Sequence, residues 1–461
     1  MRLRHHAVPL IALVLLAACG KYAVKDTLFN RAERIKRKSA IANPFGANNV
    51  VTRQDAGTQA YDLQVTLAGI AWDRELFQWD TIEPKPRQLD WSGTDRIVEL
   101  ARACDMQLLP VLDHCATWAR HDILEKPEDK VIQVPNSIHW GNYVRAAVGR
   151  YKGEVRFWEI WNRPDDPGHF AGSPAEYVRV LKTAYAEARA ADSDCVVLMG
   201  AVADAAWLAK ALASGAAKHC DVIGLALTPS KPKPPDAILI ERKPDKGNED
   251  APPDGEKTRT LSLAAERPFS EARELMAVRD QLERFKSVLE NHKIKKPVWI
   301  TSAKMKPAPA EAQARFLVKF YATAMAYGAD CVFLESFVSE RDGSVSGGLL
   351  YPDLSRRPAA KAYAMLSMLL ANVVSARIVK DNPGGLTVYE FRSLTELIRI
   401  TWSKREDVAQ LPVGYKQVHD INGVARALTP DEEESGQLTV GPDPLFITAR
   451  IVEQGPPPAA E

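Results

Sequence analysis

The stretch Val155-Arg156-Phe157-Trp158-Glu159-Ile160-Trp161-Asn162-Arg163-Pro164 decides the fold. Its apolar side chains run too continuously for a strand with one wet face, which marks a strand buried on both sides, as in a parallel sheet. Polar Asn162 and Arg163 close it, and Pro164 cannot continue a ladder of hydrogen bonds. Similar runs recur to either side, giving expected strands at 44–49, 70–77, 107–114, 155–162, 195–202, 221–228, 297–302 and 330–337. Amphipathic stretches alternate with them, giving expected helices at 55–68, 94–104, 137–151, 173–191, 205–218, 268–292, 310–327 and 357–371. Ser173-Pro174 and Ser270 read as helix starts, with Glu176 and Glu271 in the first turn where the helix dipole favours an acid. Eight strands alternating with eight helices is the count of an α/β (β/α)8 TIM barrel. The alternation alone also suits a doubly wound sheet, so the strand-end motifs must choose.

The barrel is expected over 44–373, interrupted by a proline-rich and then charged insertion at 229–262 that falls after strand six, on the substrate-binding rim of such a barrel. After Ala371 the pattern shortens. Runs at 376–393, 396–403, 415–421, 436–441 and 444–452, with a turn signal at Asn382-Pro383-Gly384-Gly385, predict a small antiparallel β-sandwich-like domain over 374–453. Residues 454–461 form a proline-rich tail that is expected to be disordered.

At the other end, Arg2 and Arg4 precede an apolar run from Ala7 to Ala18, too short to span a bilayer as a mature helix. The run ends in Leu16-Ala17-Ala18-Cys19-Gly20, which resembles a bacterial lipobox. The resemblance implies a signal peptide over 1–18 and acylation (palmitate-type chains) of Cys19. A lipidated tether follows over 19–43, and the location implied is the bacterial cell envelope, at the outer membrane since no aspartate follows the cysteine. The remaining cysteines, Cys104, Cys115, Cys195, Cys220 and Cys331, have no metal-like spacing and read as small buried hydrophobes. With 461 residues, 46% hydrophobic and 26% charged content and a net charge of +1, the chain has the composition of an ordinary globular protein. It carries no basic block and no glycine-rich phosphate loop, so nucleic acid is not an expected partner, and no metal or cofactor is expected either.

Three further segments carry chemistry-bearing residues. Expected strand two reads Gly69-Ile-Ala-Trp-Asp-Arg74-Glu-Leu-Phe77-Gln-Trp79, strand seven reads Pro297-Val-Trp299-Ile300-Thr301-Ser302, and the last helix is preceded by Gly348-Leu349-Leu-Tyr351-Pro-Asp353 and opened by Arg357-Pro358. Together with the strand-four stretch, these resemble the retaining glycoside hydrolases of clan A, and most of all family 39, over about residues 44–372. The resemblance implies the (β/α)8 barrel and a saccharide cleft at its C-terminal rim. It also exposes two departures. Retaining hydrolysis uses a general acid/base and a nucleophile, both carboxylates, about 5–5.5 Å apart. The family's acid/base position is Arg163 here and its nucleophile position is Ser302. Arginine stays protonated and cannot donate to a leaving oxygen, and a serine needs a base to activate it.

The expected substrate-binding residues are Arg74, His114, Trp118, Trp161, Asn162 and Arg163; the resemblance implies that Arg74 supports the nucleophile position, that Asn162 binds the sugar 2-hydroxyl and that His114 and Trp118 line the cleft. Trp79 and Trp161 are further candidates to stack on sugar rings. Arg163 either favours an anionic sugar such as a uronate or pairs with Asp165, Asp113 or Glu335 and plugs the cleft. Displaced acids that could restore catalysis are Glu75, Asp113, Asp165, Asp166 and Glu335. Glu159 lies mid-strand, and the family implies a structural role for it. Three functions stay open: a non-catalytic carbohydrate-binding pseudoenzyme handling a polysaccharide, an active glycosidase using displaced carboxylates, and a scaffold for an envelope protein partner. A filled cleft favours the scaffold; an open one with exposed Trp118 and Trp161 favours binding.

Overall fold

The computed structural model describes residues 43–52, 57–120, 134–227, 269–306, 308–339 and 347–451. The signal peptide, Cys19, the tether as far as residue 42, the 229–262 insertion and the 454–461 tail lie outside the described residues.

Eight parallel strands close into a barrel in sequence order: β1 (Phe45–Asn48), β2 (Trp72–Gln78), β3 (Gln107–Asp113), β4 (Phe157–Ile160), β5 (Val196–Val202), β6 (Val222–Leu227), β7 (Val298–Ala303) and β8 (Cys331–Leu334). Pairing of Phe45 with Val332 and of Ala47 with Leu334 seals the ring. The covering helices are α1 (Gln59–Ala68), α3 (Ser92–Ala103), α4 (Ser137–Arg150), α5 (Pro174–Ala191), α6 (Ala205–Ala213), α7 (Glu271–Asn291), α8 (Ala310–Ala326) and α9 (Pro358–Leu370), with a short helix α2 (Trp79–Ile82) after β2. Every expected barrel strand and helix is present, so the fold is the TIM barrel and not the doubly wound sheet.

Local chemistry sets the boundaries. Ser173 and Glu176 form a reciprocal cap at the start of α5, with Pro174 in the first turn. Ser270 precedes α7 as expected, but its hydroxyl makes no cap bond. α1 stops at Gly69, whose φ of 73° only glycine adopts freely and where a Cβ would lie 2.2 Å from Ser367 Oγ. Inside the barrel, Trp72, Leu109, Phe157, Leu198, Trp299 and Phe333 fill the N-terminal half as an apolar floor. Outside it, the helices and the outward strand residues form the main core.

After α9 comes an antiparallel sheet in the order β14-β13-β16-β11-β10-β9, built from β9 (Ser375–Asp381), β10 (Thr387–Arg392), β11 (Glu396–Trp402), β13 (Tyr415–His419), β14 (Ala425–Arg426) and β16 (Leu445–Arg450). The run read as one strand over 376–393 is two strands joined at the Asn382–Gly385 turn, where Gly385 N–H donates to Asn382 O. One face is covered by the pair β12 (Asp407–Gln410) and β15 (Gln437–Val440), and Leu386, Val388, Leu445 and Ile447 meet Ala409 and Leu438 between them. The other face, with Tyr389, Ile398, Ile400 and Phe446, joins the barrel's main core. An ion pair of 2.5 Å between Arg279 and Asp381 and a bond from Tyr327 to Asp381 tie the two units. α10 (Pro430–Ser435), β12, β14 and α2 had no counterpart in the sequence reading.

All five described cysteines are free; Cys104 is half-buried and the other four are buried. Among the described residues, no helix is long and apolar enough to cross a membrane.

Candidate functional site

Strand alternation builds the site. Inward positions repeat every second residue, so above floor residues Trp72, Phe157 and Trp299 stand Arg74, Glu159 and Thr301, one layer about 6.6 Å higher. That layer is polar and dry. Arg74 donates through Nε to Glu159 Oε2 at 2.7 Å and through Nη2 to Glu159 Oε1 at 2.8 Å. Glu159 is fully buried and also accepts from Ala201 N–H at 3.0 Å and Thr301 Oγ1 at 3.3 Å. Burial opposes the Arg74 charge, yet Glu159, followed by Asp113 and Glu335, raises its pKa above the ordinary arginine value. Glu159 is therefore a strut inside the barrel, in accord with the structural role expected of it. Arg74 Nη2 also donates to Asn162 Oδ1 at 3.0 Å. With Oδ1 held, the Asn162 amide N–H2 is the end left for a ligand.

The strand ends above this layer are strained. His114 has φ of 59°, Trp161 of 68° and Arg163 of 49°, all in the left-handed region that side chains with a Cβ avoid. Such conformations cost about 1–3 kcal/mol each and gather where a site needs a set geometry. Asp113 is buried, and its Oδ1 lies 2.8 Å from His114 Nδ1, a short contact with poor hydrogen-bond alignment. Burial raises the Asp113 pKa while His114 and Arg74 pull it down; Asp113 in turn raises the pKa of His114 above its ordinary value. His114 Nε2 is 3.5 Å from Gln78 Nε2. Asp113→Asn should remove the main force holding the proton, so the His114 titration followed by NMR is expected to move to lower pH. An unchanged titration would mean that the contact does not couple the two groups.

Several expected site residues are placed differently from the sequence reading. Trp161 is only 1% exposed, packs on Trp140 and Phe170, and donates from Nε1 to His169 O, so its faces are closed to a sugar. Trp79 is likewise buried, stacked on Tyr143. Trp118 is half-buried, with Nε1 donating to Glu83 O and its ring edge-on to Trp79. Arg163 takes the first of the partners foreseen for it: Nε donates to Asp165 Oδ1 at 3.0 Å, with Asp166 3.8 Å away. The other oxygen of Asp165 accepts from the N–H groups of Ala203 and Asp204, both at 2.9 Å. Asp165 is thus committed on both oxygens, and Arg163 is not a free cation.

Glu75 is corrected as a displaced catalytic acid. One residue beyond inward Arg74, it points out of the barrel, where Oε1 accepts from Thr52 N–H and Oγ1 at 3.1 and 3.2 Å. It interacts with the buried carboxyl of Asp73, which accepts from Val50 and Val51 N–H. Burial pushes Asp73 up to about 6. Burial and the Asp73 charge hold Glu75 well above the usual carboxylate range. Raised carboxyl pKa values give stability that is fully present below about pH 4 and is lost as pH climbs through the raised folded-state values. Glu75→Gln keeps the Thr52 bonds and removes one of the two buried carboxyls that oppose each other's charge. It should therefore add about 1–3 kcal/mol at pH 8 and nothing at pH 4. Equal effects at both pH values in thermal melts would overturn the coupling of the two carboxyls.

Glu335, half-exposed and 3.8 Å from Lys304, and half-exposed Asp166, whose Oδ1 accepts from Gly168 N–H at 2.9 Å, remain at the mouth, with half-buried Ser302 at the end of β7. A cavity of about 480 Å³ opens beside this mouth, between Val51–Thr52, Leu76, Gln78 and the first turns of α3. Gln78 belongs to both spaces, whereas Arg163 and Ser302 do not line the cavity. Among the described residues no cluster of His, Cys, Asp and Glu has metal-holding geometry.

Known proteins share this architecture. The fold is that of the glycosidase (β/α)8 barrels with an appended antiparallel sheet. A family 39 glycoside hydrolase from the gut symbiont Bacteroides cellulosilyticus superposes with a TM-score of 0.63 at 17% identity, over 88% of this chain and 81% of that one. A β-xylosidase from Caulobacter crescentus gives 0.56 at 15% identity, covering 89% and 96%. A family 30 endoxylanase from Clostridium papyrosolvens gives 0.58 at 11% identity, again covering 89% and 96%. In sequence the chain is similar to a thermostable celloxylanase from Thermoclostridium stercorarium, 26% identical over 139 residues, which cover 24% of this chain and 34% of the relative. It is also similar to an endo-1,4-β-xylanase from Phanerodontia chrysosporium, 28% identical over 137 residues, covering 28% and 32%. The chain spans about a third of the length of these curated relatives. No family model matches it.

Proposed function

We propose that this protein is a non-catalytic carbohydrate-binding pseudoenzyme of the bacterial cell envelope, held to the membrane through lipidated Cys19. One observation carries the reading. The polar frame that presents Asn162 to the mouth is intact, but three of the five candidate carboxyls around it are sequestered, which leaves Glu335 and Asp166 at the mouth. Glu75 faces outward, Asp113 is buried and Asp165 is locked on Arg163 and two backbone N–H groups. Retaining hydrolysis needs two carboxyls that converge on one bond; binding needs only donors, aromatic surface and shape. The xylan-directed names of the relatives make β-linked xylan-type chains the first ligands to try.

The burial of Trp161 and the Arg163–Asp165 pair favour a second reading, in which the mouth is plugged and the barrel is a scaffold for an envelope protein. A polysaccharide array with reducing ends assayed in the same wells separates the readings. Binding without new reducing ends, weakened about tenfold or more by Asn162→Ala (~1.4 kcal/mol), is the expected result. Reducing ends that vanish with Glu335→Gln would instead establish a glycosidase, and absence of all binding would leave the scaffold.

A further inference from the structure

Arg357 is the least compensated buried cation in the described residues. It sits where the chain leaves the C-terminal rim after β8 and enters α9, and it is only 5% exposed. Nη1 donates to Ser339 Oγ at 2.8 Å, while Nε is buried with no partner. No described carboxylate pairs with it, and burial lowers its pKa from the ordinary arginine value. A desolvated charge of this kind is costly unless something offsets it.

Two neighbouring features sharpen the imbalance. Arg357 is the residue immediately before α9, a helix with no side-chain cap and no acid in its first turn, so the positive end of the helix dipole adds to the guanidinium. The guanidinium also lies 5.0 Å from the centre of the Tyr351 ring, which is 38% exposed. Arg357 thus covers one face of an aromatic ring and leaves part of that ring to solvent. Asp353, in the same turn, is exposed, bonds the N–H and hydroxyl of Ser355 through Oδ1 and makes no ion pair with Arg357. The segment is held firmly: Ser339 N–H bonds Leu350 O, and Arg357 N–H bonds Leu349 O.

A buried arginine fork beside a half-exposed ring matches one ligand chemistry, a sugar whose apolar face rests on the aromatic and whose oxyanion meets the guanidinium. We propose that Ser339, Tyr351 and Arg357 form a site for the acidic group of a saccharide, a carboxylate or a sulfate ester, on the barrel's C-terminal rim. The inference builds on the carbohydrate-binding reading and moves the anion preference expected of Arg163 to a cation with no carboxylate partner among the described residues.

The test measures affinities of the intact chain, purified in detergent, for three oligosaccharides of equal length: neutral xylo-oligosaccharide, its sulfated form and a hexuronate oligomer. At least one acidic oligomer should bind about tenfold tighter than the neutral one, with the advantage shrinking as salt rises. The preferred oligomer tells carboxylate from sulfate. Arg357→Gln should erase the advantage and leave neutral affinity unchanged, and Arg357→Lys should keep part of it. Tyr351→Ala, at an exposed position that does not threaten folding, should weaken acidic binding as well. An advantage that survives both Arg357→Gln and Tyr351→Ala, or no advantage in the parent chain, overturns the site. The cleft reading is judged separately by the loss of neutral binding in Asn162→Ala. If only acidic oligomers bind, and Arg357→Gln abolishes it, this site stands and the cleft reading falls; if nothing binds, both fall.

Discussion

Glu159→Ala is expected to cost about 3–5 kcal/mol of folding stability, the range for removing one partner of a buried ion pair. The carboxylate is fully buried and is met from three strands, by Arg74 on β2, Ala201 on β5 and Thr301 on β7. Its removal leaves the Arg74 guanidinium, 4% exposed, without its bidentate partner. Asp113 and Glu335 attract that charge but make no bond to it. The loss should therefore come from the stranded cation more than from the missing side chain. An Arg74→Met/Glu159→Met double variant tests this, since it removes both charges at similar volume and should recover most of the stability. Denaturant midpoints read both outcomes. A single variant that loses less than about 1 kcal/mol, or a double variant as unstable as the single, would sink the account.

Gly200→Ala should be as damaging by a different route. A Cβ on Gly200 would lie 1.9 Å from Trp161 O and 2.6 Å from Ile160 O, far inside contact distance and against backbone that has nowhere to go. Trp161 already holds a φ of 68°, and its N–H is fixed on Leu112 O. Overpacking in a tight core costs about 1–3 kcal/mol and more when the obstacle is main chain. The end of β4 must shift, and Asn162 and Arg163 shift with it, so saccharide affinity should fall together with stability. Gly93→Ala, at a helix position with nothing within 4 Å of the new methyl, is the neutral control. Parent-like melting of Gly200→Ala would contradict the packing described for this strand end.

The barrel was legible because its signals are local and repeated. Continuous apolar runs and amphipathic stretches gave all eight units, with boundaries displaced by a few residues. The strand ends were less legible: β4 was expected to run to Asn162 but stops at Ile160, because Trp161 and Arg163 adopt left-handed backbone that periodicity does not encode. In the C-terminal sheet, the Asn382–Gly385 turn was noted yet not used to split the run around it. The start of α10 was also readable, since Thr429 and Glu432 form a reciprocal cap around Pro430.

The site divides in the same way. Arg74, Glu159 and Asn162 could be placed by resemblance, and their mutual bonding follows from the inward register. The outward direction of Glu75 followed from that register too, since it is the residue next to Arg74. What no single sequence shows is which acids are already spent. The commitment of Asp165 depends on Ala203 and Asp204, and the isolation of Arg357 depends on how two loops fold back on each other.

The closure of the barrel has a mechanical consequence. Force applied to the chain ahead of Phe45 enters the fold through β1, which is bonded in parallel to β2 on one side and β8 on the other. Tension along that strand loads both ladders in shear, so their bonds resist together instead of opening one after another like a zipper. The residue that seals the ring in space is also the first to feel a tug from upstream.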